Sequence, residues 1–230
     1  MPAPVRVKIC CIRDVEEARL AIGAGASALG LVSEMPSGPG VIDEATIAAV
    51  NAALPPAVSA FLLTSLVEVD ALVAQQRRLA VGTLQLCDWL GAARLRELRA
   101  RLPGVRLVQV IHLRGEVALR EAAEAAPLLD ALLLDSGNPD LAVKELGGTG
   151  RRHDWALSRR IREESEAPLF LAGGLDADNA ARAIAEVGPY ALDVCSGVRQ
   201  EGALDEARLS AFMNAAWGFG AKPRSGGKPA

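Results

Sequence analysis

Short apolar runs alternate along the chain with longer stretches whose apolar residues recur every three to four positions. Runs of the first kind, rich in Val, Leu and Ile, read as strands buried on both faces, and the second kind read as amphipathic helices. Strands are predicted over 5–10, 28–32, 58–63, 83–86, 105–112, 131–135, 169–172 and 191–195. Helices are predicted over 15–24, 43–53, 66–76, 90–101, 117–126, 155–164, 178–187 and 205–216. Asp14, Asp43 and Asp205 stand at helix starts, where a carboxylate caps free amides and meets the positive end of the helix dipole. Gly23, Gly25 and Gly188 fall where helices should stop. Such βα pairs build a parallel sheet, and the same alternation fits an open doubly wound sheet. About eight pairs without a long interruption favour closure, so the expected α/β fold is a single (βα)8 TIM barrel over residues 1–217.

A length of 230 residues suits one barrel, since such domains occupy roughly 200–250 residues. Half of the residues are hydrophobic but only 3% are aromatic, so the core must be aliphatic. A net charge of −3 argues against a nucleic-acid partner or an anionic membrane, leaving small molecules as the expected ligands. Residues 1–8 lack the basic start and apolar run of a secretory signal, and the apolar runs elsewhere are interrupted by charge. The four cysteines, at 10, 11, 87 and 195, show neither CxxC spacing nor neighbouring histidines. No metal site or disulfide framework is therefore expected, and a cytoplasmic location is. The Gly-, Pro- and Lys-rich stretch 218–230 reads as a flexible tail. The one long connection, 136–154, is glycine-rich and reads as a candidate cover for an active site.

In a barrel all strand C-termini open on one mouth, which makes them the place to look for chemistry. There stand Cys10, Asp135, Gly173-Gly174 and Ser196-Gly197-Val198, with Gly147-Gly148-Thr149-Gly150 on the long loop. Phosphate is held by converging backbone amides, and glycine permits both the close approach and positive φ. Two glycine turns after the seventh and eighth strands fit a phosphate site, although either could be only a tight turn. A cysteine ending a buried strand is more often an inert small hydrophobe than a base, and a strand-end aspartate can simply cap a turn. His112 at a strand end reads as a hydrogen-bonded structural residue, and His153 as solvated.

The ordered set Val7-Lys8-Ile9-Cys10, Ala24-Gly25-Ala26-Ser27-Ala28-Leu29-Gly30-Leu31-Val32, Leu133-Leu134-Asp135, Gly147-Gly148-Thr149-Gly150, Leu171-Ala172-Gly173-Gly174-Leu175 and Asp193-Val194-Cys195-Ser196-Gly197-Val198 resembles the phosphoribosylanthranilate isomerase family over nearly the whole chain. The resemblance implies a cofactor-free aldose–ketose isomerisation in tryptophan biosynthesis, by a monomer or homodimer acting on a phosphorylated small molecule. It implies Cys10 as general base at C2′ and Asp135 as general acid at the ring oxygen. Gly148, Thr149, Gly173, Gly174, Ser196 and Gly197 are implied as phosphate or substrate contacts. Asp135 must then stay protonated near neutral pH and Cys10 must reach its thiolate, which a positive neighbourhood favours. Lys8 and Arg13 are the nearby cations, and Lys8 shares the side of the strand on which Cys10 lies.

Four positions depart from the family pattern. Cys11 replaces the glycine that usually follows the catalytic cysteine. The Ser-Pro-Arg run after the second strand, whose arginine is expected to hold the anthranilate carboxylate, reads Met35-Pro36-Ser37-Gly38-Pro39-Gly40. Losing that bidentate contact costs about 2 kcal/mol or more unless another cation, such as Arg13, replaces it. The usual Gln-Leu-His-Gly is Gln85-Leu86-Cys87-Asp88, and the first serine of Ser-Ser-Gly-Val is Cys195. Two further readings stay open: an enzyme for another phosphorylated sugar or amine, and a non-catalytic barrel-shaped assembly factor.

Overall fold

Apolar residues at both parities of a short run can be buried only where a sheet is covered on both sides. The computed structural model, which describes residues 5–137, 141, 144 and 154–218, shows how this is done. The strands β1 (Arg6–Ile9), β2 (Ala28–Val32), β3 (Ser59–Thr64), β4 (Thr83–Leu86), β5 (Arg106–His112), β6 (Ala131–Asp135), β7 (Leu169–Leu171) and β8 (Ala191–Val194) pair in parallel in sequence order. β8 pairs with β1 through Arg6↔Ala191 to Ile9↔Val194, which closes the barrel. The helices α1 (Val15–Gly23), α2 (Glu44–Ala52), α3 (Val69–Leu79), α4 (Gly91–Arg101), α5 (Glu116–Ala125), α6 (Trp155–Glu164), α7 (Ala180–Val187) and α8 (Glu206–Trp217) follow the strands one by one. None of the described helices is long and apolar enough to cross a membrane.

Strand alternation sorts the core into two parts. One parity, with Leu29, Leu31, Leu62, Leu84, Leu132 and Leu134, faces the helices. The other fills the lumen with Ala28, Phe61, Val108, Leu133, Phe170 and Ala191. With so few aromatics in the chain, Phe61 and Phe170 meet inside the barrel, their rings 5.4 Å apart and tilted by 56°. Lys8, Cys10 and Asp135 share the lumen parity, and this aims them at the mouth.

Asp14, Asp43 and Asp205 cap α1, α2 and α8, accepting from the amides of Glu17, Thr46 and Arg208. Asp154 caps α6 in the same way. Gly188 ends α7 with a left-handed φ of 66°.

Two helix starts differ from expectation by more than one residue. α3 begins three residues later than predicted because the Thr64 hydroxyl accepts the Leu66 amide and holds the chain in a turn. α7 begins at Ala180 because the Asp176 carboxylate accepts the amides of Asp178 and Asn179. After β8 comes a feature that periodicity is too short to signal: a 3-10 turn, Ser196–Val198, leads into a small antiparallel hairpin of β9 (Arg199–Gln200) and β10 (Ala203–Leu204). The expected tail 218–230 begins at the left-handed cap Gly218, and the rest of it lies outside the described residues.

Candidate active site

The β1 strand ends by delivering Cys10 to the mouth, where its amide donates to the Val194 carbonyl at 2.8 Å. Across the mouth β6 delivers Asp135. Both line one cleft, together with Cys11, Met35, Ser37, Gln85, Cys87, Gly173, Gly174, Asp193, Cys195 and Ser196. Five of the residues singled out from the sequence therefore share one cavity: Cys10, Asp135, Gly173, Gly174 and Ser196.

Asp135 is buried, and desolvation raises its carboxyl above the ordinary value of about 3.8 against the opposing pull of the Ser136 amide and His112. The acid form is thus favoured by the surroundings. Its Oδ1 accepts the Ser136 amide at 2.7 Å, which fixes the orientation of the carboxyl group. His112 stands beside it in register, buried, with Nε2 3.0 Å from the Cys87 carbonyl, in the structural role expected for it.

Beneath Cys10 lies the fully buried Lys8. Its ammonium donates to both oxygens of Asp193 at 2.9 Å. Burial alone would discharge this lysine, but Asp193, with Cys10 adding to it, more than reverses that and raises the amine above its ordinary value. A fixed cation therefore sits within Coulombic reach of Cys10.

The turns after β7 and β8 are built on glycine. Gly173 and Gly174 take φ of 84° and 62°, and the Asn179 amide group braces the turn by donating to the Gly174 carbonyl at 2.9 Å. At Gly197 an added Cβ would lie 2.0 Å from the Leu175 carbonyl oxygen, so only glycine lets the second turn press against the first. Gly197 shapes the site from behind and does not itself line the cleft. Gly148 and Thr149, with His153 and most of the loop 136–154, lie outside the described residues.

Arg13 is not on the cavity wall. Its guanidinium, 45% exposed, is held by Glu17 at 3.0 Å. Lys144 meets the altered β2 loop, its carbonyl accepting from Ser37, while its ammonium pairs with Asp88 just after β4.

Arg199 carried no signal in the sequence, and Gln85 stood there only as part of the altered run at the end of the fourth strand. The buried Arg199 donates to the carbonyls of Cys10 and Cys11 at 3.2 and 2.5 Å and is bound by both oxygens of Glu17. Cys10, Cys11 and Glu17 are more than 180 positions away from it, beyond the reach of any local pattern. Gln85 lines the cleft with a buried Oε1 that has no hydrogen-bond partner among the described residues, an acceptor open to a ligand donor.

Comparison with known proteins decides the family. The family model described as N-(5'phosphoribosyl)anthranilate (PRA) isomerase matches residues 7–215. The chain belongs to the phosphoribosylanthranilate isomerase family. An N-(5'-phosphoribosyl)anthranilate isomerase of Halobacterium salinarum is 36% identical over 210 residues, covering 90% of this chain and 94% of the relative. Isomerase 2 of Methanosarcina mazei is 31% identical over 214 residues, covering 92% and 94%. Among solved structures, the Thermotoga maritima phosphoribosyl anthranilate isomerase superposes with a TM-score of 0.80 at 27% identity, covering 93% of this chain and 99% of that one. A phosphoribosyl anthranilate isomerase in complex with reduced 1-(o-carboxyphenylamino)-1-deoxyribulose 5-phosphate gives 0.77 at 26% identity, with the same coverage.

Within this isomerase fold the substituted positions gather at one place. Cys11, standing where the family pattern has glycine, adopts a left-handed φ of 62°. The backbone has kept the conformation that glycine would supply. The Cys87 thiol is buried and pushed up, mainly by desolvation, with Cys10 adding to it and Lys8 opposing.

Proposed function

We propose that this protein isomerises N-(5'-phosphoribosyl)anthranilate to the corresponding 1-deoxyribulose 5-phosphate, as an enzyme of tryptophan biosynthesis. The observation that carries the reading is the placement of Cys10 and a carboxyl held toward its acid form, Asp135, on facing walls of one cleft in a chain of this family. Asp135 gives its proton to the ring oxygen as the C1′–O bond breaks, and the anilino nitrogen lone pair forms the C1′=N bond. The Cys10 thiolate then removes the C2′ proton, and the electron pair of that C–H bond passes through C1′ to nitrogen. The enolamine tautomerises to the ketone. No cofactor takes part.

The turns at Gly173, Gly174 and Ser196 offer amides to the phosphate, with Gly197 allowing the second turn to pack against the first and Gly148 and Thr149 supplying the loop side. The relative bound to a carboxyphenylamino phosphate shows the two anionic ends such a site must hold. Here the carboxylate falls to Lys144, released from Asp88, because Lys144 adjoins the altered β2 loop through Ser37, which lines the cleft. Free thiols at every cysteine suit a reducing cytoplasm.

Turnover of N-(5'-phosphoribosyl)anthranilate by the purified protein tests the reading. Cys10→Ala and Asp135→Asn are each expected to lower kcat by about 10²–10⁴-fold without loss of folding. Lys144→Ala should instead raise KM about tenfold, with partial rescue by Lys144→Arg. Wild-type protein that fails to convert the substrate, or unchanged turnover in the first two variants, would overturn the assignment.

A further inference from the structure

The wall of the cleft beside Cys10 carries two further thiols that the isomerisation does not use. Continuing the parallel register from Ile9↔Val194 sets Cys10 opposite Cys195 on strands about 4.8 Å apart. In an extended strand Cys11 would point to the opposite face from Cys10. Its left-handed φ of 62° breaks that alternation and brings all three residues to the same cavity wall. Cys11 is wedged there. Its thiol donates toward the Pro39 carbonyl at 3.5 Å, and a Cβ built on Gly40 would come within 2.5 Å of its own Cβ.

We propose that Cys195 and Cys11 are a peroxide-sensitive pair, Cys195 the thiol that is oxidised first and Cys11 the one that resolves it into a disulfide, closing the site next to the catalytic base. The functional consequence rests on the isomerase reading above, whereas the bond itself does not.

The roles follow from the surroundings. The Cys11 thiol and the Arg199 guanidinium hold Cys195 below its ordinary thiol value against the effect of burial, whereas Cys11 is pushed well above its own by its thiol neighbours and then by burial. Cys195 is also the most exposed of the four cysteines. Its thiolate attacks one oxygen of hydrogen peroxide, the O–O bond breaks, and hydroxide leaves to be protonated to water. The Cys11 sulfur then attacks the Cys195 sulfenic sulfur. The S–S bond forms, the S–O bond breaks, and the hydroxyl departs as water with the Cys11 proton. Two thiols and one peroxide yield one disulfide and two waters. Cys10 and Cys11, being adjacent in sequence, cannot reach ordinary disulfide geometry without distorting the peptide between them.

The test treats the intact protein with hydrogen peroxide, blocks free thiols, and digests it with trypsin without reduction. The expected product joins residues 9–13 to residues 183–199, with fragmentation assigning the bond to Cys11 and Cys195. Activity should fall at least tenfold and return on adding dithiothreitol. C195S and C11S, each scored against its own untreated activity, should lose less than twofold under the same exposure. The proposal is overturned if the cross-linked peptide is absent at complete thiol loss, if fragmentation places the bond on Cys10, or if the loss is irreversible. Untreated protein that fails to turn over N-(5'-phosphoribosyl)anthranilate would defeat the isomerase reading alone, because the peptide readout needs no activity.

Discussion

Cys11 shows how one residue can keep a backbone shape while changing its chemistry. A non-glycine residue in the left-handed region costs roughly 1–2 kcal/mol, and the structure bears that cost because Arg199 holds the Cys11 carbonyl and Gly40 closes over the side chain. The ordering of substitutions follows. Cys11→Gly removes the strain and should hold or raise the urea midpoint, whereas Cys11→Val places a β-branched side chain at positive φ and should lose about 2 kcal/mol or more. A Cys11→Gly protein less stable than Cys11→Val would contradict this account. At this scale the sequence was legible where a residue type is itself the signal, as with the positive-φ turn at Gly173 and Gly174. Arg13 was not, because whether a guanidinium is free depends on its neighbours, and Glu17 one helical turn on takes it.

Among elements, the Glu17–Arg199 pair ties α1 to the β9 hairpin and both to the end of β1. Both side chains are buried, and Glu17 also accepts the amides of Leu204 and Arg13. Desolvation works against the Glu17 charge, but Arg199 and those amides outweigh it and hold the carboxyl below its ordinary value of about 4.5. Because the native value is depressed, the stability is fully present above about pH 4.5 and is lost as pH falls through the lower native value. Denaturant titrations of wild type from pH 7 to pH 3 should show that loss, and Glu17→Gln should show a smaller pH dependence there. At pH 7, Arg199→Met should cost about 3–5 kcal/mol by leaving a buried carboxylate without its partner. Equal pH profiles for wild type and Glu17→Gln would remove the pair from this role. The hairpin that carries Arg199 has strands of only two residues each, too short for any period to register.

For the whole molecule the decisive contact is the seam between β1 and β8, where Lys8 and Asp193 pair with almost no exposure. Lys8→Met should therefore lower global stability by about 3–5 kcal/mol, measured by chemical denaturation, and Asp193→Leu in the same chain should recover part of it. No recovery in the double variant would show that the pair is not the source of the loss. By itself the sequence determined the eight βα units, the caps at Asp14, Asp43 and Asp205, the shared strand face of Lys8 and Cys10, and the glycine turns, because these are set by period and by residue type over a few positions. Only the tertiary structure decided that Lys8 meets Asp193, that Arg199 grips the Cys10-Cys11 corner, that Lys144 stands over the altered β2 loop, and that three thiols share one wall. Those are contacts between distant parts of the chain, and closure of the barrel is what brings them within a few ångströms of one another.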